Sequence, residues 1–387
     1  MVIGIPKEIM EGERRVSATP ETVSRMVGDS LRVLVEKAAG EGSYYSDGDY
    51  AQAGAAILED PAAVYEKADV ILKVKEPLFN AKKNRHEVDM MRPGQLLITF
   101  IHPSSPVNHG MVRQLAEKGV TSLTLDGIPR ISRAQTMDAL TSMSTCAGYK
   151  GMLMAIDALP KFAPQIFSAV GVIKPINVLV VGAGVAGLQA IATAKRLGAV
   201  VHACDIRPDA AEQAKSLGAK LVELGIPPEV SIGGGGYARA LPQEWLDHER
   251  KILAGVVKSM DIVFLSALIP GRQAPVLVME ETVKEMAPGS VIVDISIDQG
   301  GNCSVTNPGS VAVVHGVTIN GIKNIPGLLP VSSTWMFANN IYNLLKYLVN
   351  DGVLQLDGND AVIASALTTI GGKIVHRGAL EAMNAGE

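Results

Sequence analysis

Cysteine is scarce. Three residues in 387, Cys146, Cys204 and Cys303, are odd in number and widely spaced. They form neither a disulfide framework nor a zinc-ligand pattern, so no metal site and a reducing compartment are expected. Aromatics are few as well, with 6 Phe, 2 Trp and 8 Tyr, which weighs against an aromatic-rich β sandwich. Neither sign of charge dominates: 35 Lys and Arg stand against 39 Asp and Glu, a net −4, and nothing invites nucleic acid or an acidic membrane. The opening MVIGIPKEIMEGERR lacks the layout of a signal peptide. One uncharged run, Val178 to Ala194, is 17 residues long and only reaches the lower limit for a bilayer span. Its regularly offset glycines have a better explanation, so no direct membrane insertion is expected.

What the chain does have is glycine, 39 residues, and a hydrophobic content of 47%. Its length suits two or three domains with a sizeable core. The first ~125 residues alternate short apolar runs (VIGI, LRVLVE, ADVILKVK, QLLITFI, TSLTL) with helical patterns, as parallel α/β units do. One helix should open at Thr19-Pro20, where Thr caps and Pro suits the first turn. A long Ala-, Met- and Leu-rich pattern from Ala134 to about Ala163 reads as a helix linking two halves. A second series comes next: NVLVVG, AVVHAC, KLVEL, DIVFLSAL, SVIVDIS and GVTING. After Pro330 the pattern is helical again. The expected fold is therefore α/β, two doubly wound parallel-sheet (Rossmann-like) domains with a cleft between them. Residues 1–140 with 325–387 make an N-terminal domain completed by C-terminal helices, and 141–324 make the nucleotide-binding domain.

Between Asn177 and Asp205 the chain reads NVLVVGAGVAGLQAIATAKRLGAVVHACD. Gly182, Gly184 and Gly187 form G-x-G-x-x-G directly after a β-branched run and at a helix start. Asp205 ends the next strand, 18 positions past the third glycine. Gly182 permits the tight turn, Gly184 lets the backbone approach a pyrophosphate, and Gly187 allows close helix–strand packing. Val185 and Ala186 open the helix, whose N-terminal N–H groups and dipole suit phosphate. Asp205, with Ile206 and Arg207 beside it, can accept hydrogen bonds from ribose hydroxyls and would repel a 2′-phosphate. Arg207 alone would welcome that phosphate, but Asp205 holds the deciding place, which favours NAD(H). The glycine run Gly233 to Gly236, with Tyr237, reads as a loop over the nucleotide. Ala267 and Leu268, in SALIPG after a strand, lie where ligands meet a parallel sheet.

These residues resemble the alanine dehydrogenase/pyridine nucleotide transhydrogenase family. GIPKE, GERRVSATP, KVKEP at Lys73 to Pro77, GAGVAGLQAIATAKRLGA and VDISIDQGGN carry the resemblance over essentially the whole chain. The loop PRISRAQTMDALTSMSTCAGY, Pro129 to Tyr149, is similar to the soluble NAD(H)-binding domain of the proton-translocating transhydrogenases within that family. The resemblance implies a homodimer and NADH near this loop, with Arg130, Ile131, Ser132, Gln135, Asp138 and Thr141 contacting it. In that picture Asp138 stabilises positive charge developing on the nicotinamide. Gln135 and Arg130 fix the ring and pyrophosphate so that reacting carbons approach to ~3–3.5 Å. With one fingerprint and no membrane span, the resemblance also implies a split enzyme. NADP(H) and the membrane channel would belong to partner subunits, and this chain would be peripheral to the inner membrane on its cytoplasmic side. Arg15, Lys75, His102 and Asp298 resemble the substrate and acid–base positions of alanine dehydrogenases, an alternative activity.

Overall fold

The computed structural model describes residues 1–233, 238–269, 273–350 and 352–384. Two compact units emerge, one of residues 1–143 with 326–387 and one of residues 144–325.

Six parallel strands begin the first unit: β1 Val2–Ile5, β2 Arg32–Glu36, β3 Ala56–Leu58, β4 Val70–Leu72, β5 Leu96–Thr99 and β6 Thr121–Thr124. Their spatial order is β3-β2-β1-β4-β5-β6, the doubly wound arrangement with a switch point between β1 and β4. As expected, helix α1, Pro20–Gly28, starts at Thr19: Thr19 and Thr22 form a reciprocal capping box, and Pro20 fills the first turn. The long helix α2 runs over Ala139–Ala158, and the boundary between the units falls within it. Its expected first turn is instead a separate 3-10 turn, Ser132–Met137, because Asp138 breaks the run and caps the helix after it.

The second unit opens with an antiparallel hairpin, β7 Ile166–Ser168 and β8 Gly171–Ile173. Its main sheet holds β9 Asn177–Val181, β10 Val200–Cys204, β11 Lys220–Leu221, β12 Ile262–Leu265, β13 Val291–Asp294, β14 Val311–Val314 and β15 Val317–Asn320. The order is β11-β10-β9-β12-β13-β15-β14, parallel except for the β14 edge. Successive residues of its central strands serve two cores. Val178, Val180, Ile262 and Phe264 pack on one face, and Leu179, Val181, Val263 and Leu265 on the other. A strand buried on both faces must be continuously apolar, which explains the membrane-like run. That run is strand β9 followed by helix α3, Val185–Arg196, and no described helix is long and apolar enough to cross a membrane.

The C-terminal segment returns to the first unit with helix α6, Pro330–Leu348, preceded in the second unit by α4, Pro208–Ser216, and α5, Gln243–Val257. It also supplies strands, which its helical pattern does not suggest. β16, Leu367–Ile370, pairs antiparallel with β6, and β17, Lys373–Ile374, closes that edge. Both sheets are thus parallel at their centres with an antiparallel margin.

Candidate functional site

At the switch point of the second sheet, the chain leaves β9 through Gly182, whose φ of +87° belongs to the left-handed region glycine favours. A Cβ on Gly187 would lie 1.9 Å from the Gly182 carbonyl oxygen, so helix α3 can approach the strand only because residue 187 has no side chain. A Cβ on Gly184 would meet no protein atom within 4 Å. Its bareness serves nothing inside the protein and leaves the N-terminus of α3 open to a ligand's phosphates. Gly184 is the N-cap, and Val185 and Ala186 form the first turn.

Beside this turn, Asp205 follows β10. Its Oδ2 accepts from the Ala183 N–H at 2.8 Å and its Oδ1 from the Arg207 N–H at 2.8 Å. The Arg207 guanidinium forks onto the same carboxylate, Nε to Oδ1 at 3.0 Å and Nη2 to Oδ2 at 2.9 Å. Half-buried Ile206 packs against the core between them. Across the switch point, Ser266 donates to the Gly182 carbonyl at 2.8 Å. The next two residues, Ala267 and the exposed Leu268, form a ledge after β12. Buried Asn302 holds that ledge: its Oδ1 accepts from the Ala267 N–H and its Nδ2 donates to the Ala267 carbonyl, both at 2.9 Å. Asp294 in turn holds Asn302 by accepting its N–H at 2.7 Å. VDISIDQGGN is therefore a structural clamp for a ligand-facing loop, a role its sequence does not announce. Pro270, Gly271, Gly236 and Tyr237 lie outside the described residues, so the expected Tyr237 loop has no structural account.

Glu249 of α5 is buried, and burial first, then the nearby Asp205 charge, raise its pKa from 4.5 to about 7. A carboxyl that is harder to ionise folded than unfolded costs stability as pH climbs from 4.5 through 7. Glu249→Gln is expected to match the wild type near pH 4.5 and exceed it at pH 8 by on the order of 3 kcal/mol. Urea unfolding at the two pH values checks this, and equal stability at pH 8 would refute it.

In the first unit, Arg130, Ile131, Ser132 and Gln135 are exposed on one short loop. The loop is pinned from behind: Asn340 and Asn343 of α6 donate to the Thr136 carbonyl at 2.9 and 3.2 Å, and Arg133 pairs with Asp360 at 3.0 Å. Those three bracing residues come from long-range packing that no local pattern reveals. Asp138 is buried, and its carboxylate accepts from the Thr141 N–H at 2.8 Å and hydroxyl at 2.6 Å. It caps α2, so both of its oxygens already have work inside the protein.

The alternative set is dispersed in role. Arg15 is buried and forked onto Glu13, with Nη2 to Oε2 at 2.6 Å. Lys75 is half-buried, and its charge acts on both Glu13 and His102. His102 adopts a left-handed φ of +48°, stacks on Phe100 and puts Nδ1 2.7 Å from Asp126. Burial opposes its protonation, but the charge and hydrogen bond of Asp126 prevail and raise its pKa. Asp126 is likewise held down to about 2, against the effect of burial, by His102. Asp298 is exposed in a turn, Ile297–Gln299, of the second unit. Among the described residues no group of His, Cys, Asp or Glu is arranged to hold a metal ion.

Two doubly wound units, one bearing a glycine turn open to phosphate with an acidic residue after the next strand, define a two-domain dinucleotide-binding α/β protein. Family models agree with this class: Alanine dehydrogenase/PNT, N-terminal domain, matches residues 4–147, and Alanine dehydrogenase/PNT, C-terminal domain, matches residues 151–377. The chain belongs to the alanine dehydrogenase/pyridine nucleotide transhydrogenase family. It is 38% identical over 379 residues to an NAD(P) transhydrogenase alpha subunit of Rhodospirillum rubrum, covering 97% of this chain and 98% of that one. Identity to alanine dehydrogenase of Staphylococcus saprophyticus is 33% over 392 residues, covering 99% and 97%. The crystal structure of transhydrogenase from Sinorhizobium meliloti superposes with a TM-score of 0.84 at 36% identity, over 97% of this chain and 100% of the other.

Proposed function

We propose that this chain is the NAD(H)-binding subunit of a proton-translocating NAD(P) transhydrogenase, passing hydride from NADH to NADP+ held on a partner subunit. The observation that carries the reading is the Ser132–Met137 loop: anchored at Thr136 by two asparagines, it leaves Gln135 exposed toward whatever approaches. NAD(H), when bound, supplies the hydride. The open N-terminus of α3 fits its pyrophosphate and Asp205 fits its adenosine ribose. Gln135 and Arg130 orient the nicotinamide end, with Ile131 and Ser132 lining it. Asp138, fixed by Thr141, holds a negative charge close to that loop and keeps α2 in place. Proton translocation belongs to membrane-spanning partner chains, which tether this one to the cytoplasmic face.

A homodimer belongs to the same reading. The β7–β8 hairpin exposes Phe167, Val170, Val172 and Ile173, and apolar side chains presented in a row suit burial against a second copy. Sedimentation of the purified chain should give a dimer, and a monomer at micromolar concentration would remove this element of the proposal.

The test of function combines the purified chain with a separately made NADP(H)-binding domain and follows reduction of an NAD analogue by NADH. Transfer well above either component alone is expected. Gln135→Asn should bind NADH nearly as the wild type does yet transfer at least about tenfold more slowly, since small misplacements of reacting groups are costly. Normal transfer by that variant would remove Gln135 from its role. The His102–Asp126 pair favours a second reading, amino-acid oxidation, and steady oxidation of L-alanine with NAD+ by the chain alone would establish it instead.

A further inference from the structure

An ionised carboxylate offers about four acceptor sites, and on Asp205 four donors already claim them. Two are backbone, the N–H groups of Ala183 and Arg207, and two are the Nε and Nη2 of the Arg207 guanidinium. The pair is well enclosed, the Arg207 and Asp205 side chains being 20% and 6% exposed. If Asp205 holds a ribose, as proposed above, the hydroxyls have no unclaimed lone pair to enter. They can take only the places of the guanidinium, because the two amides are fixed by the turn and by the start of α4.

The exchange is chemically apt. One edge of a guanidinium presents two parallel donors to a carboxylate, and so does the vicinal 2′,3′-diol of a ribose. A ribose carrying a 2′-phosphate has lost one of those donors and brings negative charge toward Asp205. We propose that Arg207 is a cofactor-selectivity residue: it occupies Asp205 as an internal stand-in for the diol, and only a nucleotide with an intact diol displaces it. While it is forked onto Asp205, its guanidinium is also withheld from any 2′-phosphate. The displaced side chain has a second carboxylate within electrostatic reach, Asp209 in the first turn of α4. Selection thus comes from a competition inside the protein as well as from repulsion of the wrong ligand.

This inference rests on the reading that the glycine turn binds NAD(H). The test titrates NADH and NADPH against the wild type, Arg207→Gln, Asp205→Asn and the double variant, each first checked for an unchanged melting temperature. Arg207→Gln should tighten NADH by about 3- to 10-fold, the scale of losing one partly exposed ion-pair competitor. Asp205→Asn should weaken NADH and strengthen NADPH, and the double variant should lose the NADPH gain. Weaker NADH binding by Arg207→Gln, or an NADPH gain that survives in the double variant, would overturn the proposal while wild-type NADH binding stands. A wild type that binds no NADH would overturn the nucleotide reading itself, and this inference with it.

Discussion

Lys73→Ala is expected to destabilise the protein by about 3–5 kcal/mol, the usual cost of removing one partner from a buried ion pair. Lys73 follows β4 and is fully buried, with Nζ 3.0 Å from Glu87 and 3.3 Å from Glu8. Burial opposes its charge, yet the two carboxylates outweigh that and hold it protonated, while burial pushes Glu8 up to about 7. Glu87 also accepts the Tyr65 hydroxyl at 2.6 Å and the Leu78 N–H at 2.8 Å, and Glu8 accepts the Val74 N–H at 2.6 Å. The network therefore fixes the KVKEP segment, including half-buried Lys75. Without the cation, two carboxylates are left in a low dielectric with no counter-charge. The deficit should shrink as pH falls from 8 to 5, because both take up protons more readily once Lys73 is gone. Urea midpoints across that range check the claim. Replacing Lys73 by Met together with Glu8→Gln and Glu87→Gln should restore most of the loss. A pH-independent deficit would mean that lost packing, and not charge, is responsible.

Gly187→Ala and Gly184→Ala should separate the two uses of glycine in the fingerprint. At 187 the new Cβ would sit 1.9 Å from a backbone oxygen and 3.1 Å from the Ser266 hydroxyl, so α3 must shift outward. Overpacking of this kind costs about 1–3 kcal/mol and occasionally more, and the displaced helix start should abolish measurable NADH binding. At 184 the Cβ enters open space and φ is an ordinary −73°, so the variant should melt within about 1 °C of the wild type, a surface-like effect. It should still bind NADH at least about tenfold more weakly, because the methyl stands where pyrophosphate must approach the backbone. Calorimetry and fluorescence titration of both variants decide the matter. Undiminished NADH binding by Gly184→Ala would mean that the pyrophosphate lies elsewhere.

The legible features of this protein are those whose constraints are local. The glycine spacing, the Thr19–Pro20 helix start and the apolar strands each record a requirement of their own backbone. Asp205 is readable as an acidic residue at a strand end, but its fork with Arg207 is not, because two neighbouring charges of opposite sign look alike whether paired or separate. β16 is hidden because Leu367–Ile370 carries two threonines that are fully buried, and Thr369 is satisfied by Ser122 at 2.7 Å, 247 residues away. The hairpin is hidden for the opposite reason: its apolar side chains face outward, so no inward stripe marks it. Lys73 lies inside a readable motif, yet its partner Glu8 stands 65 residues earlier and no spacing connects them. Asp138 shows the reverse limit, since its family role and its capping bonds are both written in one short loop.

The return of the chain to its first sheet has a consequence for synthesis. β6 leaves the ribosome long before β16, which it must pair with, and the whole of residues 144–325 is made in between. The second unit, with its contiguous sequence, has everything it needs to fold while translation continues. The first must wait with the edge of β6 uncovered and with no α6 to support the Ser132–Met137 loop. Emerging order and folding order are therefore reversed, and the interval before Leu367 appears is when this chain is most exposed to aggregation and most in need of a chaperone.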